Sequence, residues 1–339
     1  MQKNVFTFTV ACIFVISTIL GGCTSMQSKE STTSKNYPDK PITFIVPFGA
    51  GGALDVVARM LEKSSVKHLG QPLVILNKPG SAGALGWNEL VTAAPDGYTI
   101  GISASELFLH SLYGTSKYSY PTALEPLAQI SSTPIIMVVQ ANQPWQNSSD
   151  LIEYAKEHPG ELKFGHSGIG SIPHVVGEVF SKSANITLNQ VPFRSAAEAI
   201  TALLGGHIQV VFINPGTAKE YIKNGMLKAL AVADANRLID PVFANVPTFK
   251  EQGFELYYGS RLGLVAPKDM PADVKAKQVE SLKSMLTDPN FKKELESMGL
   301  QYEYLDDKQT QKQWIYENKE LTKAVQESGI IELIKSQKQ

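Results

Sequence analysis

Cysteine is almost missing from this chain of 339 residues: it occurs only as Cys12 and Cys23. Everything after residue 23 therefore lacks the thiols that a disulfide framework, a thiolate metal site or a cysteine nucleophile requires. Charge of one sign is also lacking. Lys plus Arg number 31 against 32 Asp plus Glu, and no basic cluster is longer than Lys292-Lys293. A protein that neutralises a nucleic-acid backbone carries a basic stripe, so no nucleic-acid partner is expected. The six histidines show no HExxH or HxH spacing, and no metal site is expected. No repeat of fixed period and no low-complexity tract occurs.

What is present is enough apolar material for a large core: 43% hydrophobic and 19% charged residues, a globular composition of a length that suits two domains. One positive residue, Lys3, precedes an apolar stretch from Val5 to Leu20 that ends in Leu20-Gly21-Gly22-Cys23. Sixteen residues fall short of the roughly 20 of a spanning helix, and the pattern is that of an export signal over residues 1–22. The Leu-Gly-Gly-Cys ending resembles a bacterial lipobox. It implies lipidation of Cys23 and anchoring of an exported protein at the cell envelope, on the outer face of the cytoplasmic membrane or in the periplasm; an ordinary secretory signal with an incidental cysteine is the alternative. Residues 24–36, TSMQSKESTTSKN, are almost wholly polar and complete a flexible tether over 23–36. It would hold a domain on the order of 20 Å from the lipid surface, or up to about 45 Å if stretched.

Beyond the tether, strand and helix patterns alternate. Ile42 to Val46 is a β-branched run, followed by a helix from Leu54 to Ser64 with Leu54, Val57, Ala58 and Leu61 on one face. Strands at Leu73 to Leu76 and Tyr98 to Ile102 flank a helix at Leu85 to Ala93. The same alternation returns from Lys163 to Asn224. Two such runs predict an α/β protein of two lobes, each a mainly parallel sheet flanked by helices. Ile135 to Val139 and Leu262 to Ala266 are expected as crossover strands, after which helices near 272–287, 290–298 and 310–327 return to the first lobe.

The turns that end the strands carry the candidate site, since open α/β sheets bind ligands beyond their strand C-termini. Phe48-Gly49-Ala50-Gly51-Gly52-Ala53 runs from a strand straight into a helix, and unpaired N–H groups there favour an anion. It is not a dinucleotide fingerprint, because Leu54 stands where the third glycine belongs, nor a P-loop, because Gly-Lys-Ser/Thr is missing. A structural turn capping the helix is the other reading. Asp55 either braces this turn or touches ligand. A second glycine-rich turn, with Ser167, Gly168, Gly170 and Ser171, opens the other half, with His174 as a pocket-wall or ligand-contacting group. The order Ser-Gly-Ile breaks the Gly-x-Ser-x-Gly nucleophile elbow, so no catalytic residues are assigned. Phe193 and Arg194, Asn214, and Ser103 with Ser105 follow further strand ends. Arg194 could pair with a carboxylate or form a surface ion pair. Trp87, Phe48 and Phe108 suit either an aromatic ligand or core packing.

These residues also carry a family resemblance. Tyr37-Pro38-Asp39-Lys40-Pro41-Ile42, Val46-Pro47-Phe48 with Gly51-Gly52 and Asp55-Val56-Val57-Ala58-Arg59, Asn77-Lys78-Pro79-Gly80, Ala94-Pro95-Asp96-Gly97-Tyr98-Thr99, Gly165 to Ser171 with His174, Val191 to Arg194, and Leu203 to Ile208 together resemble the solute receptors of tripartite tricarboxylate transporters, the Bug or TctC family. The match runs from about 37 to 330. It implies a type II-like periplasmic-binding-protein fold, with lobe 1 at 37–140 and 259–339 and lobe 2 at 141–258. It further implies a monomer without cofactor that captures a small organic carboxylate (a di- or tricarboxylate, an amino acid or an aromatic acid) and delivers it to a membrane permease. In the family, loop backbone groups, hydroxyls and bridging waters hold the carboxylate, which carries over to Gly49 to Ala53 and Ser167 to Ser171. Where the family commonly has Pro-Pro or Pro-Gly, this chain has Gly49-Ala50; Phe193 replaces a frequent Tyr, and Ser195 a frequent Gly. The other functions weighed are a sensor that signals through a partner and an α/β hydrolase or oxidoreductase.

Overall fold

The computed structural model describes residues 37–114 and 116–332. The expected signal peptide, Cys23 and the tether lie outside the described residues. In chain order the elements are β1 (Ile42–Val46), α1 (Ala53–Leu69), β2 (Leu73–Asn77), α2 (Ala84–Thr92), β3 (Thr99–Ala104), α3 (Glu106–Leu112), α4 (Tyr120–Ala123), β4 (Leu124–Pro134) and β5 (Ile136–Gln140). They continue with α5 (Ser148–Glu157), β6 (Lys163–His166), α6 (Ile172–Ser183), β7 (Asn189–Pro192), α7 (Ala196–Leu204), β8 (Val210–Ile213), α8 (Pro215–Lys223) and β9 (Leu227–Val232). The chain closes with β10 (Gly259–Pro267), α9 (Ala272–Leu286), α10 (Pro289–Ser297), β11 (Tyr302–Leu305) and α11 (Asp307–Ser328).

Two sheets result, a six-stranded one in the order β11-β4-β10-β3-β1-β2 and a five-stranded one in the order β7-β6-β8-β5-β9. The parallel pairings are those of the βα units: β1 with β2 and β3, and β6 with β7 and β8. The expectation of mainly parallel sheets fails outside these triplets. β4, β10 and β11 pair antiparallel in the first sheet, and β5 does so with β8 and β9 in the second. The cause is connectivity. β4 and β5 form one nearly continuous extended segment that leaves one sheet and enters the other, so neither is delivered by a helical crossover that would keep it parallel. β5 is bonded wholly within the second sheet, a strand earlier than the expected boundary at 141.

In both sheets the first strand of the triplet is flanked by the next two. From β1 the chain passes through α1 to β2 on one side and through α2 to β3 on the other; from β6 it passes through α6 to β7 and through α7 to β8. β1 and β6 are thus switch strands, and the crevices beyond their carboxyl ends are where such sheets receive ligands.

The helices that frame the crevices are set by burial. α1 buries Val57, Ala58, Met60 and Leu61, spaced as one helical face, each large side chain contributing about 1.5–3 kcal/mol. It runs past the expected end at Ser64 to Leu69, which is buried, and the buried Ser65 hydroxyl is satisfied within the helix by Glu62 O at 2.8 Å. The helix stops where Gly70 takes a left-handed φ of 76° and donates to Val66 O. β8 is buried on both faces. Val210 and Phe212 enter the large core cluster, and Val211 and Ile213 enter a smaller one with Ile200 and Leu203, as alternation along a two-sided strand demands.

Candidate functional site

A cleft of about 980 Å³ opens between the two sheets. From the first side come Phe48, Ala53 and Leu54 at the β1–α1 turn, Ala104 at the end of β3, and a face of α3. From the second side come Ser167 to Ser171 at the β6–α6 turn, with Ile213, Asn214 and Thr217 after β8. Both switch strands therefore point their following turns into one space.

The two turns are held in place by different chemistry. In the first, Asp55 is only 2% exposed. It accepts the Gly51 N–H at 2.8 Å and Arg59 Nε at 3.0 Å on one oxygen, and Asn77 Nδ2 at 2.9 Å on the other. Asn77 Nδ2 also donates to Phe48 O at 3.1 Å. Burial pushes the Asp55 carboxyl up, but the donors from Arg59, Gly51 and Asn77 outweigh it and hold the group below the usual carboxylate range. Gly51 sits at φ 80°, with nothing within 4 Å of where a Cβ would stand. Its contribution is a left-handed backbone that lets its N–H point back at Asp55.

In the second turn, two histidines replace the acid. His166 and His174 stack at 4.1 Å with planes 9° apart. His166 Nδ1–H donates to Gly168 O at 2.8 Å, while Nε2 lies 2.7 Å from the Gln190 side-chain amide. Gly170 N–H donates to His174 Nδ1 at 3.0 Å. Ser171 caps α6 by accepting His174 N–H at 3.4 Å. Desolvation, and then the neighbouring His174, push the His166 imidazole down to about 4, so at neutral pH the His166 ring is uncharged. Among the described residues, the N–H groups of Ser167, Gly168 and Ile169 take part in no hydrogen bond. They belong to residues that line the cleft, just ahead of the N-cap Ser171 of a twelve-residue helix, whose positive end favours an anion nearby.

Phe48, Ala53, Ser167, Gly168, Gly170, Ser171 and Asn214 of the expected site line the cleft; the remainder stand behind it. Gly49, Ala50, Gly51 and Gly52 form the exposed outer part of their turn. Asp55 and His174 are the braces. Ser105 is buried, donating to Glu317 Oε1 at 2.8 Å and accepting Arg261 N–H at 2.9 Å; Ser103 is buried beside it. Phe193 packs behind Gly165. Arg194 is exposed, its N–H held by Glu198 at 3.0 Å. Trp87 and Phe108 are core residues, and the Trp87 indole donates to Ile102 O at 3.1 Å.

Sequence reasoning missed α3. Glu106, Leu109, His110 and Tyr113 all line the cleft, and their spacing of i, i+3, i+4 and i+7 is one helical face. That spacing was the available signal. The Tyr113 hydroxyl reaches across to Gly170 O at 3.3 Å, and burial together with the charge of Glu106 keeps it protonated well above the usual phenol range. Burial also pushes the Glu106 carboxyl up.

Two α/β halves with a cleft at their switch points define a two-lobed solute-binding protein. The chain belongs to the tripartite tricarboxylate transporter receptor family, whose model matches residues 57–330. Among its relatives, Protein BugT of Bordetella pertussis is 32% identical over 240 residues, 70% of this chain and 73% of that one. A TctC solute-binding protein from Polaromonas, solved without ligand, aligns with a TM-score of 0.77 at 29% identity, over 86% of this chain and 100% of its own. The periplasmic binding protein BugD gives a TM-score of 0.71 at 28% identity, over 87% and 99%. MatC from Rhodopseudomonas palustris, solved with bound malate, gives 0.70 at 25% identity, over 85% and 100%.

Proposed function

We propose that this protein is an exported solute receptor that captures a small organic carboxylate between its lobes and hands it to the permease of a tripartite tricarboxylate transporter, without catalysing a reaction. The observation that carries the reading is the β6–α6 turn, where three cleft-lining residues, Ser167, Gly168 and Ile169, have N–H groups without protein partners among the described residues, across the cleft from the β1–α1 turn. Malate in the related MatC supports the choice of a carboxylate. Charge-assisted hydrogen bonds contribute about 1.5–3 kcal/mol each, so three or four support micromolar binding, near −8 kcal/mol, after ordering costs. Gly49 to Ala53 act as the frame of one turn and Ser167 to Ser171 as the binding turn, its direct donors the N–H groups of Ser167, Gly168 and Ile169, with Asn214 at the lip. The lobes are taken as 37–140 with 259–339, and 141–258, with β5 of the first segment adding its strand to the second sheet. A lipid on Cys23 tethers the receptor at the membrane, and the receptor acts as a monomer. Incorporation of labelled palmitate that disappears in Cys23→Ser tests the anchor.

A thermal-shift screen against carboxylates, with the matching neutral amides as controls, tests the function. A ligand at 100 times its dissociation constant adds about 2.7 kcal/mol of stability and raises the midpoint by a few degrees. A shift produced by an acid and absent with its amide is the expected outcome; equal shifts, or none across the series, would overturn the assignment.

A further inference from the structure

The last long helix carries a charge pattern that ligand capture does not use. α11 turns Thr310, Trp314, Glu317, Leu321 and Ala324 inward, and Trp314 packs edge-on against Phe108 of α3 at 5.4 Å. At about 100° per residue, the opposite face gathers Lys308, Lys312, Lys319 and Lys323 within an arc of about 60°. All four are exposed and take part in no ion pair or hydrogen bond among the described residues. Ile315, 65% exposed, and Tyr316, 53% exposed, stand beside them midway along the row. The acids of the helix lie elsewhere. Glu317 is buried, Asp307 pairs with Lys275 at 3.4 Å, and Glu320 and Glu327 stand on one flank. Winding thus assembles, from positions scattered in the sequence, a basic row about 22 Å long in a chain whose net charge is only −1.

Two observations name what covers this face. The first is where the described chain begins. Tyr37 O accepts from Lys277 Nζ at 3.3 Å, and Lys275, in the same turn of α9, reaches Asp307, the residue before Lys308. The entry of the chain and the start of the basic row are therefore fixed to one turn of one helix. Cys23, the proposed site of a lipid, precedes Tyr37 by 14 residues, so an anchor there holds this end of the domain near the lipid surface. The second is the chemistry of the row. Four lysines without an arginine act as point charges rather than as bidentate forks, which suits a diffuse anionic surface, and an exposed isoleucine and tyrosine among them suit the headgroup boundary. We infer that α11 lies against the membrane, its lysines over anionic phospholipid headgroups and Ile315 with Tyr316 at the interface. The inner face of α11 packs on α3, whose other side lines the cleft. Docking therefore leaves the cleft clear and sets the orientation in which a tethered receptor presents it. The inference draws on the proposed anchor at Cys23, and the test keeps the two apart by removing that cysteine.

The test is co-sedimentation of the full chain carrying Cys23→Ser with two kinds of vesicle, phosphatidylcholine alone and phosphatidylcholine with about one third phosphatidylglycerol. Binding through the apolar stretch Val5 to Leu20 is common to every variant, so the readout is the ratio between the two compositions. The anionic vesicles are expected to bind at least about tenfold more tightly at low salt, with the preference lost at high salt. Replacing all four lysines, Lys308→Gln, Lys312→Gln, Lys319→Gln and Lys323→Gln, should abolish the preference. Replacing four exposed lysines of other elements, Lys67→Gln, Lys156→Gln, Lys163→Gln and Lys223→Gln, changes the net charge equally and should leave it in place. Ile315→Gln should weaken binding to anionic vesicles about threefold or more without altering its salt dependence. Equal binding of the parent chain to both vesicles, a measurement that needs no lysine variant to fold, overturns the inference. Equal loss of preference in the two lysine sets overturns the role of α11. Binding that appears only when the vesicles carry the permease makes the row a protein-docking surface and overturns the lipid assignment. None of these outcomes bears on carboxylate binding, which the thermal-shift screen decides by itself.

Discussion

Gly216 and Gly299 meet backbone to backbone across the two halves of the molecule. A Cβ on Gly216 would lie 2.8 Å from the Gly299 Cα, and one on Gly299 would lie 2.5 Å from the Gly216 Cα. Gly216 is in the first turn of α8, beside Asn214 and Thr217 of the cleft, and Gly299 precedes the cleft residue Leu300. The approach is thus a contact between lobes at the cleft rim, reinforced nearby by Ser260 Oγ donating to Asn214 Oδ1 at 3.3 Å.

Gly216→Ala is expected to hold the lobes apart. The intruding methyl meets backbone, which cannot rotate away, so relief requires the two halves to separate by a few tenths of an ångström or more. Because each lobe keeps its own core, the ligand-free thermal midpoint should fall by no more than about 1–3 kcal/mol equivalent. Ligand affinity should fall about tenfold or more, since binding requires both walls. Calorimetry beside a melting curve checks this; unchanged affinity would show that the contact does not govern closure.

The histidine brace makes stability depend on pH in a definite direction. His166 is held near 4 in the folded protein against 6.5 for the free side chain, so below 6.5 the unfolded chain binds the extra proton more readily. The contribution is present in full above pH 6.5 and is lost as pH falls toward 4, by an amount on the order of 3 kcal/mol. Glu317 works in the opposite sense. Burial, partly offset by Arg261, raises its carboxyl, so its contribution is fully present below the ordinary carboxylate pKa and is lost as pH rises through its folded value. Chemical denaturation of wild type and His166→Asn from pH 7 to 4 separates the two, and the variant should show a shallower decline between 6.5 and 4. Parallel curves would remove His166 from the acid response.

Much of this arrangement was legible in the sequence, for reasons that the structure makes plain. β1, β2, β3, α1 and α2 have apolar periods because they bury one face or two, and the glycine turns after β1 and β6 stand out because their backbones need left-handed conformations. β4 was hidden. Its buried face carries Gln129, Ser131 and Thr133, polar residues kept inside by long-range partners: Gln129 bonds Glu303 at 2.8 Å and Thr133 accepts Gln301 N–H at 3.1 Å. No local pattern records a partner some 170 positions away. In the same way Asp55 and His174 were legible as members of their turns, but whether each faces ligand or braces the turn depends on Asn77, contributed by β2, and on the stacking of His166 at the end of β6. Glu106 escaped notice because its helix has only seven residues, too few for a clear apolar period.

Glu317 ties the last long helix to the first sheet and should be expensive to remove. It is 4% exposed, accepts from Ser105, and pairs with Arg261 of β10. Glu317→Ala would leave Arg261 unpaired and the Ser105 hydroxyl with only the longer bond to Gly259 O at 3.3 Å, a loss of about 3–5 kcal/mol by the precedent of broken buried pairs. Glu317→Gln keeps the acceptor and the shape and should cost much less. Midpoints in urea for both variants check the order; equal losses would mean that the charge, and not the hydrogen bond, holds α11.

The first turn gives the sharpest separation of brace from binder. Asp55 lies outside the cleft lining yet organises Gly51, Asn77 and, through Asn77, the carbonyl of Phe48. Asp55→Ala removes three acceptor contacts at once and should destabilise the protein by about 1–3 kcal/mol while weakening ligand binding through a displaced Phe48. Asn77→Ala loses the link between Asp55 and Phe48 but leaves Gly51 and Arg59 in place, so its cost should be smaller. Because both variants break the same network, the double variant should lose less than the sum, with a coupling of about 0.5–3 kcal/mol. Urea titrations give the coupling and calorimetry the affinity. Additive losses would mean that Asp55 and Asn77 act independently. An affinity loss in Asp55→Ala without any loss of stability would instead make Asp55 a direct ligand contact, contrary to its buried position.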